Sequence, residues 1–90
     1  MGAHLTSSQF MRNSKYVIFG KSGLEMPVVF SPLITHSDVS ISGADEVIAA
    51  GFCEKDEAGQ YYVWGESLTL KKKSRPQDAE IINRYLAYEC

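Results

Sequence analysis

The strongest nucleophiles and metal ligands in this 90-residue chain are two cysteines, Cys53 and Cys90, and two histidines, His4 and His36. A zinc site needs three or four such groups brought together, usually in pairs at short spacing, and no two of these are neighbours in sequence. Cys53 with His36 could form a thiol–imidazole pair. A cysteine beside Phe52 inside an apolar run, however, is more often an inert core residue. Gly65-Glu66-Ser67-Leu68-Thr69 opens like a nucleophile elbow, but Thr69 stands where the second glycine belongs. That segment also lies between extended stretches, and Ser67 has only His36 as a candidate base. Glu54, Asp56 and Glu57 crowd into a turn, where carboxylates are commonly solvated and need no chemical role. These residues spell no catalytic motif, so the chain reads as a non-enzyme that needs no cofactor and no metal.

Contact chemistry is better represented. Lys71, Lys72, Lys73 and Arg75 supply four of the nine basic residues within five positions. Beside exposed aromatics such a run could hold a phosphate backbone. Tyr61, Tyr62 and Trp64 lie shortly before it and offer stacking or anchoring rings. The opposing readings are a solvated basic loop and a set of aromatics that only completes a two-sided core. With a net charge of −2, the chain as a whole does not favour a polyanion. Tyr61, Tyr62, Trp64, Lys71, Lys72, Lys73 and Arg75 therefore form the candidate partner-binding set.

The elements that must position these residues read as follows. Lys15–Gly20 is β-branched and aromatic, Lys21-Ser22-Gly23 signals a turn, and Leu24–Phe30 returns as the second arm of a hairpin. Pro27 inside that arm predicts an edge strand or a bulge, because proline donates nothing to a ladder. Thr35-His36-Ser37-Asp38 resembles a capping box, with a short helical turn expected around Ser37–Ser40. Asp45–Glu54 is apolar on both parities, which predicts a central strand, and Gly51 within it marks a bulge or a close backbone approach. Gln60–Trp64 follows the turn at Asp56-Glu57-Ala58-Gly59, and Ser67–Leu70 continues it or forms a fifth strand. Ser74 as N-cap with Gln77 three residues on, and Pro76 between, predicts the start of a C-terminal helix. Its apolar face comprises Ala79, Ile82 and Leu86 with Ile81, Tyr85 and Tyr88. Strands followed by one helix, without crossover helices, predict an α+β fold. The expected form is an antiparallel sheet of four or five strands with the helix packed on one face.

Composition bounds the object. Ninety residues make one domain, 44% of them hydrophobic and 22% charged, which is ordinary globular usage. A chain of this size has little core to spare, so self-association into a homodimer is a reasonable expectation. Two free thiols suit a reducing compartment, no apolar run is long enough to span a membrane, and the first ten residues lack a signal-peptide layout. The chain therefore reads as cytoplasmic, with residues 1–14 a flexible arm and 15–90 the folded domain.

The opening strand Lys15-Tyr16-Val17-Ile18-Phe19 and the helix entry Ser74-Arg75-Pro76-Gln77-Asp78-Ala79 resemble those of small bacteriophage and prophage accessory proteins. These proteins combine a β-meander with one helix and include the anti-CRISPR and other anti-defence inhibitors. The resemblance would span Met11–Glu89 and implies contact with a host protein or ribonucleoprotein complex, in the host cytoplasm, by steric blocking. The inhibitors share no motif, so it transfers no functional residue. The chain also departs from their acidic DNA mimics, since a charge of −2 cannot imitate a duplex. The alternatives are a nucleic-acid-binding accessory protein using residues 71–75, and a homo-oligomeric structural protein pairing its edge strands.

Overall fold

Tyr16-Val17-Ile18-Phe19 are all buried, and a strand buried on both sides must have neighbours on both edges and cover on both faces. It lies in β1 (Asn13–Lys21), which pairs with β2 (Leu24–Phe30) and β3 (Glu46–Lys55), while β4 (Tyr61–Trp64) completes the sheet. The computed structural model describes residues 13–86. Its four-stranded antiparallel sheet has the order β2-β1-β3-β4. A separate two-stranded hairpin, β5 (Glu66–Ser67) with β6 (Lys72–Lys73), precedes helix α1 (Pro76–Leu86). This is the expected α+β architecture.

Both expected hairpins form. The β1–β2 turn has positive φ at Ser22 (53°) and Gly23 (82°), the signature of a type I′ turn that matches strand twist. Pro27 sits on the outermost strand, opposite Ile18. β3 is central, and its doubled apolar pattern has a local cause. The β1–β3 register slips between Ile18 and Phe19, which leaves Ile48 as an extra residue. Ile48 and Ala49 then both pack on the helix side, while Val47 and Ala50 serve the other face.

Two cores result. On the helix side, Tyr16, Ile18, Ala49, Cys53 and Ile82 are fully buried, with Ile81, Leu86 and Val63 against them. On the other side, Val17, Phe19 and Ala50 are covered without any helix. The cover is Val39, Ile41 and Ala44 from the loop after β2, and Leu70 from the β5–β6 hairpin.

Four expectations require correction. Asn13 and Ser14, assigned to the arm, belong to β1 and pair with Glu54 and Cys53; residues 1–12 lie outside the described residues, as does Tyr88. Ser67–Leu70 is not a strand: β5 ends at Ser67, a turn runs to Lys71 (φ 59°), and Lys72 and Lys73 of the expected basic loop form β6. The helix cap falls one residue later than expected. Arg75, not Ser74, is the N-cap, and Asp78 at the third helical position accepts the Arg75 backbone N–H at 2.8 Å. That register places Pro76 at the first helical position, where it loses no hydrogen bond. The helical turn expected around Ser37–Ser40 lies at His36–Asp38 instead, and Thr35 makes no side-chain cap bond.

Candidate functional site

The sheet register aligns Phe30, Lys15, Phe52 and Trp64 in one row across β2, β1, β3 and β4. His36 arrives from the loop after β2 and stands edge-on between two of them. Its ring centroid is 5.7 Å from Phe30 and 5.7 Å from Phe52, at interplanar angles of 86° and 82°. The ring is buried, and its Nε2–H donates to the Gly51 carbonyl at 2.8 Å. Lys15 Nζ pins the same loop by donating to the Ile34 carbonyl at 2.9 Å. Gly51 is required here, because a Cβ would lie 2.7 Å from the Trp64 carbonyl oxygen and 3.2 Å from Ser74 Cβ.

The row continues outward. Trp64 stacks on Phe52 (6.0 Å, 25°) and on Tyr62 (5.7 Å, 30°), offset geometries that favour aromatic pairs. Trp64 remains 38% exposed and Tyr62 46%. Beside the row lies a cleft of about 400 Å³ between the His36 loop and the β5–β6 hairpin, with Phe52, His36, Lys15, Glu66, Ser67 and Leu68 in its walls. Leu33 (87% exposed) and Leu68 (80%) project from the two flanking segments.

The catalytic combinations weighed from sequence resolve physically. Cys53 and Phe52 point to opposite faces of β3, so Cys53 lies in the helix-side core and His36 against the other face. Burial pushes the Cys53 thiol up to about 12, which keeps it protonated and unreactive at neutral pH. Ser67 and His36 do share the cleft. The buried Ser67 hydroxyl accepts the Leu70 N–H at 3.2 Å and bonds the Thr69 hydroxyl at 3.2 Å, so it closes the hairpin turn. His36 spends Nε2 on a backbone carbonyl. Among the described residues, no group of three or more His, Cys, Asp or Glu could hold a metal, and no helix is long and apolar enough to cross a membrane.

The candidate contact residues fall into three groups. Tyr62 and Trp64 are brought together on the open face. Lys71, Lys72 and Lys73 are exposed on the hairpin beside the cleft, with Lys72 opposite Ser67 and Lys73 opposite Glu66. Tyr61 and Arg75 lie elsewhere. Tyr61 packs against the helix-side core under Lys55, whose Nζ is 5.4 Å from the ring centroid. Its backbone N–H and C=O are both taken by the Asn83 side-chain amide, at 2.7 and 3.1 Å. Arg75 bridges Glu25 at 2.7 Å and the fully buried Asp78 at 2.7 Å, and Tyr16 donates its hydroxyl to Asp78 at 2.6 Å. Burial, then the bond to Asp78, holds Tyr16 protonated well above the usual tyrosine range. The bond to Glu25 is the main cause raising the Arg75 guanidinium. Arg75 is thus part of the scaffold on the helix side. Sequence reasoning passed over His36 and Phe52 as contact residues. The one signal for them was Gly51, whose carbonyl accepts from His36 and whose missing side chain makes room for the Trp64 and Gly65 carbonyls and Ser74.

No protein-family model, curated protein or solved structure matches the chain.

Proposed function

We propose that this chain is a non-enzymatic binding protein that acts by covering a surface on a protein partner. The observation that carries this reading is the exposed Trp64–Tyr62 stack beside an apolar cleft, on the sheet face opposite the helix. Exposed tryptophan and tyrosine on a rigid strand are the side chains that most often anchor protein interfaces. The stack is preformed on Phe52, so little side-chain entropy remains to be lost on binding. The finer reading, inhibition of a host defence complex in the manner of the phage proteins the sequence resembles, rests on that resemblance.

A nucleic-acid reading is favoured by one observation: among the described residues, Lys71, Lys72 and Lys73 enter no ion pair. Against it, Trp64 already stacks on two neighbours, which leaves little ring face for a base.

The test is capture of partners from host lysate by the purified protein, with and without nuclease, alongside Trp64→Ser. A stoichiometric protein that survives nuclease and is lost with Trp64→Ser supports the reading. Binding abolished by nuclease, or indifferent to Trp64→Ser, overturns it.

A further inference from the structure

The cleft has a distinctive charge setting. Among the described residues its walls carry one cation, Lys15, and one anion, Glu66. Lys15 is already turned to the Ile34 carbonyl. One strand away, Lys72 and Lys73 pair with the wall residues Ser67 and Glu66, and Lys71 precedes them. Four lysines against one glutamate make this corner positive on a chain whose net charge is −2. The cleft floor is the reverse in character: Phe52 and the edge-stacked His36 are aromatic, and Leu68 stands exposed in the wall. His36 Nε2 and the Ser67 hydroxyl are engaged within the chain, so the floor offers few polar groups to a ligand.

An apolar socket with an unpaired cationic rim selects a ligand that is apolar at one point and acidic beside it. We propose that the cleft receives a peptide segment of the partner, seating an apolar side chain over Phe52 and acidic residues against Lys71, Lys72 and Lys73. This rests on the reading of the chain as a protein-binding module and names the chemistry of what it binds. Nucleic acid fits the rim but not the socket. A basic peptide fits neither, since Glu66 is the only acid in the wall among the described residues.

The probe is a library of short random-sequence peptides selected on the full chain. Selected peptides are then titrated into labelled protein and followed by amide NMR shifts, with an oligothymidine titrated in parallel. The expected result is a consensus of Leu or an aromatic next to Asp or Glu. Shifts should centre on Phe52, His36 and residues 66–73. Reversing Lys71, Lys72 and Lys73 to Glu should weaken binding about tenfold, mostly through slower association, and remove its salt dependence. Leu68→Asp should abolish seating; Leu68 is so exposed that the fold does not depend on it. A neutral or basic consensus overturns the proposal, as do shifts confined to the helix side or oligothymidine binding at the cleft in place of peptide. If lysate capture still yields a Trp64-dependent protein while no acidic peptide reaches the cleft, this inference fails and the protein-binding reading stands. If capture fails as well, both fall.

Discussion

The two faces of the sheet are built by opposite means. The helix side is closed by one element and held by a buried polar network, in which Tyr16, the Arg75 backbone and the Arg75 guanidinium all converge on Asp78. The other side has no helix. A loop and a two-stranded hairpin lean against β3 at Gly51, and the aromatic row between them is only partly covered. The first face turns the polar groups of Tyr16, Arg75 and Asp78 on one another. The second leaves Trp64 partly exposed and, among the described residues, Lys71, Lys72 and Lys73 outside any ion pair, and there we place the proposed contact.

The largest effect should come from breaking the closed face. Asp78→Ala leaves the Arg75–Glu25 pair and the Tyr16 hydroxyl without their buried acceptor. A loss of about 3–5 kcal/mol is expected in denaturant unfolding. A change below 1 kcal/mol, roughly that of an ordinary surface substitution, would show that the network is incidental. Gly51→Ala comes next, because the new methyl meets a backbone oxygen that cannot give way. It should cost about 1–3 kcal/mol and shift the His36 ring resonances more than those of Ile82. Equal shifts on both faces would mean that Gly51 does not separate them.

Alkali offers a milder probe of the same face. Cys53 and Tyr16 both have folded pKa values raised above their unfolded ones, and both are neutral when protonated. Their protonated forms favour the fold fully below about pH 9. That contribution drains away as the pH rises toward 12, because the unfolded chain releases its protons first. Denaturant midpoints across this range should fall steadily, and Cys53 should resist thiol reagents at neutral pH until the chain is unfolded. A flat profile would contradict the burial. The smallest effect on stability belongs to the open face: Trp64→Ser should change stability by no more than about 1 kcal/mol while removing partner capture. A large loss of stability there would erase the distinction between the faces.

Much of this fold was legible because its signals are local. The Ser22-Gly23 turn, Pro27 at an edge and the doubled apolar pattern of β3 each carry a backbone requirement within a few residues. The helix itself was legible, but its cap was not. Ser74-x-x-Gln77 and Arg75-x-x-Asp78 overlap, and Tyr16, far away in sequence, decides for Asp78. The β5–β6 hairpin escaped because two-residue strands carry no periodicity. Arg75 reads as one of a basic run until Glu25, 50 residues distant, claims it. At the site, Tyr62 and Trp64 could be named but not separated from Tyr61, since the strand's alternation shows two faces without saying which one the helix takes. His36 between Phe30 and Phe52 is a long-range arrangement with no local mark except Gly51.

The sheet's two outer strands have a consequence for how the molecule behaves when concentrated. On β2, Pro27 removes a donor from the middle of the strand. On β4, the strand is four residues long and its first peptide groups are already occupied by the Asn83 amide. A passing chain therefore finds no continuous ladder to extend, and the route to fibres and domain-exchanged polymers is obstructed at both ends. If two copies met through the exposed Trp64 and Tyr62, that contact would conceal the surface proposed for the partner. Self-association and partner would then compete for the same patch, and dilution would free it.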